Sequence, residues 1–138
     1  MVESEPKGPG SIAMRATGST NYENLREFVE ERVDPNQYFK TDGAQFHWGL
    51  RYMEHSLDLK VCAGPPSLEH LPIVHQAIGL LKRFLLGTYH GVSKPYLQRY
   101  LDEFCFRFNR RHRKGGLFES LMYACVSVVP MTYAELKL

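Results

Sequence analysis

The 138-residue chain lacks any apolar run approaching the roughly 20 residues that a bilayer-spanning helix needs. No membrane segment is expected. Its first residues, MVESEPKGPGS, carry acids and no hydrophobic stretch, which excludes a secretory signal. Cysteine is scarce: Cys62, Cys105 and Cys125 form an odd, scattered set without C-x-x-C spacing. Neither a disulfide framework nor a zinc ribbon is expected from three scattered cysteines, since no Cys pair shows C-x-x-C spacing. Reduced, buried thiols in a cytoplasmic protein are the expectation. A Gly-rich phosphate loop and a serine nucleophile elbow are also missing, which removes P-loop and serine-hydrolase chemistry. No internal repeat is present.

What remains is a chain of one-domain length, 43% hydrophobic and 23% charged, the composition of a globular protein. Its net charge of +2 conceals an asymmetry. Residues 1–81 hold 7 basic and 11 acidic side chains, whereas residues 82–114 hold 9 basic and 2 acidic. A concentrated positive segment fits a polyanion partner, and equally fits a solvated basic helix end.

Residues 1–10 are polar and rich in Pro and Gly, and are expected to be a disordered leader. Ser11 to Thr17 alternates weakly, as a strand does. Thr20-Asn21-Tyr22-Glu23 fits a capping box, followed by Leu25, Phe28, Val29 and Val33 at helical spacing and a stop at Asp34-Pro35-Asn36. Gln37 to Thr41 predicts a short strand running into Asp42-Gly43, then a helix over Ala44 to Met53 and a strand over Leu57 to Cys62. Ala63-Gly64-Pro65-Pro66 breaks the chain. Alternation of strands and helices argues for a mixed α/β layer fold.

The second half predicts two helices. Pro72 suits a first turn, and Val74, Ala77, Ile78, Leu81 and Leu85 then share one face, with His75 and Lys82 projecting together beside it. Val74, Ile78 and Leu81 are expected to be buried, and Gly87 to end the helix at Leu86. Ser93 is expected to cap a longer helix with Leu97, Tyr100, Leu101, Phe104 and Phe108 as its buried stripe, and Glu103–Arg107 as a pair one turn apart. Its end carries Arg107, Arg110, Arg111, Arg113 and Lys114.

Residues 71–114, with the turn Gly87-Thr88-Tyr89-His90-Gly91-Val92-Ser93 and the block from Tyr100 to Arg111, resemble the C-terminal signature of the ISXO-two-like insertion-sequence transposases of the DDE superfamily. The likeness extends over roughly residues 11–135. It implies a ribonuclease-H-like mixed sheet with flanking helices and a helical C-terminal half. It also implies metal-dependent DNA cleavage and strand transfer, in which two ions about 4 Å apart are held by hard oxygen ligands. Asp42 matches the second ligand position, at a strand end before a Gly. His75, which stands 33 residues later on a helix, matches the third. Asp42 and His75 are thus the implied ligands of Mg²⁺ or Mn²⁺, and Lys82 the implied contact to a phosphate near the scissile bond. Lys82, Arg83, His90, Arg107, Arg110 and Arg111 are the implied DNA-binding residues. Transposon ends and target DNA are the implied partners, and a homo-oligomer the implied assembly. No residue matches the first acid: Arg15 sits on the weak strand, and Glu3 and Glu5 fall in the leader. The expectation is therefore an incomplete domain at 11–138, N-terminally truncated, with strands missing and catalysis lost. The alternative is a non-catalytic DNA-binding remnant.

Overall fold

Pairing begins in the segment richest in Pro and Gly. The computed structural model describes residues 1–6, 8–53, 55–59, 70–112 and 116–136. In it the expected leader forms a hairpin: β1 (Val2–Glu5) pairs antiparallel with β2 (Gly8–Ile12), with Val2 opposite Ile12 and Glu5 opposite Gly8. Gly8 makes the reversal possible, with φ 129, a conformation that L side chains rarely adopt. The expected strand Ser11–Thr17 is thus displaced toward the N-terminus.

α1 (Tyr22–Arg32) is capped by Asn21, whose side chain accepts from the Asn24 backbone N–H at 2.9 Å, one residue later than the expected Thr20 cap. It buries Val29, and Val33 leaves the helix in extended conformation. β3 (Tyr38–Thr41) follows, and pairs in parallel with β4 (Ser56–Leu59), Tyr38 lying opposite Ser56 and Thr41 opposite Leu59. Between them Gln45–Tyr52 is a 3₁₀ helix where an α-helix was expected. It packs on α1, burying Leu50 and bringing Gly49 against Tyr22. The described strands thus form two separate two-stranded sheets, in place of the single mixed sheet expected. The last residues of the expected strand to Cys62, the Gly-Pro break, Arg113 and Lys114 lie outside the described residues.

α2 (Pro72–Tyr89) runs through Gly87 and stops where His90 turns left-handed, with φ 53, and Gly91 follows at φ 143. A 3₁₀ turn (Lys94–Tyr96), which Ser93 precedes without a side-chain cap bond, leads into α3 (Leu97–Asn109). Two short helices close the described chain, α4 (Leu117–Ser127) and α5 (Tyr133–Leu136). No helix among the described residues is long and apolar enough to cross a membrane.

The main core sits where the hairpin meets α2 and α3. Ile12, Phe104 and Phe108 are buried together, with Val2, Met14, Leu80, Leu81 and Phe84 packed around them. The stripe expected on α3 is buried at Leu101, Phe104 and Phe108, whereas Leu97 and Tyr100 are only half-buried. The stripe on α2 is sealed only at Ala77; Ile78 stays 38% exposed, contrary to expectation. Its face borders an open cavity of about 400 Å³, shared with Leu25 and Phe28 of α1 and with Phe46, which leaves Ile78 nothing to close on. Cys125 is exposed, not buried as expected, and Cys105 is half-buried.

α3 also clamps the strand beside it with polar side chains. Asn109 accepts from Ile12 N–H at 2.7 Å and donates to Ile12 C=O at 3.0 Å. Gln98 accepts from Ala16 N–H at 2.8 Å and donates to Met14 C=O at 3.2 Å. Arg111 donates to the Gly10 C=O at 3.2 Å and also to the Pro9 C=O. These side chains satisfy a strand edge that would otherwise carry unpaired backbone groups.

The Gly49 contact yields a clear expectation. A Cβ there would overlap the Tyr22 ring, whereas one at Gly79, in α2, would meet open space. Gly49→Ala is expected to destabilise the fold by about 1–3 kcal/mol through overpacking. Gly79→Ala is expected to stabilise it by roughly 0.5–1 kcal/mol, by helix propensity. Urea denaturation of the two variants checks the contrast, and equal effects would contradict it.

Candidate functional site

The end of β3 gathers the residues whose chemistry matters most. Thr41 is buried, and the chain then turns through Asp42 and Gly43, the latter at φ 78. Asp42 steadies this turn itself: its Oδ1 accepts from the Ala44 backbone N–H at 3.2 Å. One turn into the 3₁₀ helix, His47 returns its Nδ1 to 3.1 Å from the same carboxylate oxygen. That approach is close but poorly aligned, and Nδ1 has no hydrogen-bond partner among the described residues. Burial pushes the His47 imidazole below the ordinary histidine range, and the attraction of Asp42 only partly opposes it. At neutral pH His47 is therefore an uncharged ring beside an anion.

A second imidazole closes the other side. His70 Nε2 lies 3.1 Å from the Thr41 carbonyl and ties the approach to α2 to the strand end. Neither His47 nor His70 was singled out by the sequence. His47 is brought back by a 3₁₀ turn that periodicity does not reveal, and His70 by a tertiary contact 29 residues long.

His75 lies in the first turns of α2, half-buried, its N–H bonded to the Leu71 carbonyl at 3.1 Å. No hydrogen bond joins it to Asp42 among the described residues. Lys82 follows two turns later on the same face, exposed, with Arg83 exposed beside it. His90 is exposed at the helix end. The other basic positions are held by their own chain. Arg107 pairs with Glu103 at 2.7 Å, as the spacing predicts, and Glu103 also accepts from the Tyr89 hydroxyl at 2.8 Å. The Arg110 guanidinium lies 3.7 Å from the centre of the Phe106 ring. Arg111 covers Phe108 at 4.0 Å while it holds the hairpin carbonyls.

Glu3 and Glu5 stand on β1, a strand where a leader was expected. Glu3 Oε2 accepts from Ser11 N–H at 3.1 Å. Both carboxylates lie over Gly10, where a Cβ would come within 2.7 Å of Glu5 Oε1 and 3.0 Å of Glu3 Oε2. Among the described residues, however, no three His, Cys, Asp or Glu side chains come together in a group able to hold a metal ion. Asp42 brings one carboxylate and His47 one neutral nitrogen, which is too little charge and too few oxygens for a pair of divalent ions. The described donors do not fit a two-metal centre.

Against this geometry, the family model of the ISXO2-like transposase domain matches residues 1–109. The match includes the hairpin, the β3 end, α2 and the whole of α3. No curated protein and no solved structure matches the chain.

Proposed function

Because the chain belongs to the family of ISXO2-like transposase domains, we propose that it engages DNA in the transposition of an insertion sequence. The family match over residues 1–109 carries this conclusion. Three features of the molecule support its detail. Asp42 directly follows a strand of a parallel pair, the arrangement that a ribonuclease-H-like sheet uses to present an acid. His70 bonded to Thr41 ties the start of α2, and with it the helix that bears His75, to that strand end. Lys82 and Arg83 stand exposed farther along α2.

The roles follow from this layout. Asp42 and His75 are the residues that would face the reacting phosphate, with Lys82 as a point charge on a neighbouring phosphate. Lys82 and Arg83 supply sequence-independent affinity for duplex DNA by displacing its counterions. DNA cleavage and strand transfer are the family's reaction, in which Mg²⁺ or Mn²⁺ activates the attacking oxygen. No residue of the sequence matches the first acid of that ligand set, and on that ground the chain by itself is expected to bind DNA without cutting it.

The test combines retention of linear duplex with nicking of supercoiled plasmid in Mg²⁺ or Mn²⁺. Retention that weakens with salt, without nicking, is the expected outcome. A chain that retains no DNA even at low salt would sink the proposal. Metal-dependent nicking abolished by Asp42→Ala would show that the missing ligands come from elsewhere, and would contradict the expectation of binding alone.

A further inference from the structure

The 3₁₀ helix Gln45–Tyr52 turns one row of side chains away from the protein. Residues three apart eclipse one another in such a helix. Gln45, Trp48 and Arg51 are exposed in that register, whereas Leu50 is buried, Gly49 packs on Tyr22 and His47 turns toward Asp42. Trp48 is the one tryptophan of the chain, and it stands 53% exposed. Tryptophan is highly buried on average, so an indole held this far out calls for a reason. The Arg51 guanidinium lies over it, 6.0 Å from the ring centre. Tyr52, 88% exposed, follows at the helix end. Residues 43–53 contain no acid.

Resting on the reading of the chain as a DNA-engaging protein, we propose that Trp48 and Arg51 form a stacking site for an unpaired base of a DNA strand. In a duplex each base is stacked between its neighbours and offers only its edges to a protein. A base that has left its pair offers a flat face, which an exposed indole takes whatever the sequence. Arg51 supplies the positive charge for the phosphate of that nucleotide. The location agrees with this role. His47, next to Trp48 in the chain, brings its Nδ1 to 3.1 Å from Asp42 Oδ1, so one turn of chain carries both the stacking row and the neighbour of Asp42. A protein partner fits less well. Gln45 and Arg51 flank the indole, and the row holds no aliphatic side chain to form the dry, packed centre of a protein interface. The cations of α2 differ in what they contact: they meet backbone charge, which paired DNA presents equally well.

A single tryptophan makes the test direct. With its indole excited selectively over tyrosine, the full chain is titrated at low salt with oligothymidylate of about ten nucleotides, then with a duplex of the same length. Trp48 emission is expected to be quenched by the single strand and to stay unchanged with the duplex. By anisotropy of the labelled single strand, Trp48→Ala is expected to weaken binding at least about fivefold. Trp48→Phe, which keeps a ring to stack on, is expected to recover most of that loss. The position is exposed, so circular dichroism and the thermal transition should match the wild type in both variants. Three results would overturn the stacking site while leaving duplex binding through α2 intact: emission that ignores a bound single strand, equal quenching by single strand and duplex, or a single-strand affinity indifferent to Trp48→Ala. Loss of duplex binding alone, with Trp48 still quenched by the single strand, would overturn the role of α2 and uphold the stacking site. A chain that binds neither form overturns both.

Discussion

Asn109→Ala is expected to lower the unfolding free energy by about 2–5 kcal/mol, a large loss for one surface-helix amide. The side chain bonds both the N–H and the C=O of Ile12, whose residue is 4% exposed. Truncation leaves both backbone groups without a partner in a place water hardly reaches, and each such orphan costs about 1–3 kcal/mol. The hairpin and the Ile12–Phe104–Phe108 cluster are then weakened together. Urea denaturation should show a lower midpoint at an unchanged slope. A loss below about 0.5 kcal/mol, the range of an ordinary surface substitution, would contradict the clamp.

Phe104→Ala carries the other large effect. Phe104 is buried, with ring centres 5.5 Å from Phe84 and 5.8 Å from Phe108, so it links α2 to α3 beneath the hairpin. Removing a core phenylalanine costs about 3–5 kcal/mol. Against a total of about 5–15 kcal/mol for a domain, such a loss approaches the whole stability. The buried hydrophobic residues are few among those described: Ile12, Val29, Leu50, Ala77, Leu101, Phe104 and Phe108. The variant should therefore lose its cooperative thermal transition or melt far below the wild type. A melting point within a few degrees of the wild type would show that the core does not centre on this ring.

The helices were legible because their information is local. The spacing of Leu25, Phe28 and Val29 marks α1, Pro72 marks the start of α2, and the stripe through Leu101, Phe104 and Phe108 marks the buried face of α3. The Asp-Gly turn after β3 was equally visible. The hairpin was not. Its strands are short, β2 is rich in Gly and Pro, and what holds it is Asn109 and Arg111, contacts spanning 97 and 101 residues. No local pattern announces that. The stop of α2 was misplaced because Gly87 is tolerated inside a helix while His90, not a glycine, takes the left-handed position. At the candidate site Asp42 was visible by its place at a strand end, but His47 and His70 were hidden, since both reach that end only through folding.

The same contacts engage the end of α3 and the arginines around it. Gln98, Asn109 and Arg111 hold the strand edge, and Arg107 and Arg110 are engaged with Glu103 and Phe106. Substituting Arg110 and Arg111 together would therefore report on folding as much as on DNA. The exposed cations of α2 are the cleaner probe.

The decisive measurement is the salt dependence of duplex binding, by fluorescence anisotropy, for the wild type and for Lys82→Ala/Arg83→Ala. DNA engagement through α2 predicts a log–log plot that falls linearly for the wild type, with a slope shallower by about 2 and a weaker affinity in the double variant, whose thermal transition is unchanged. Identical slopes and affinities for the two proteins, or binding indifferent to salt, would contradict it.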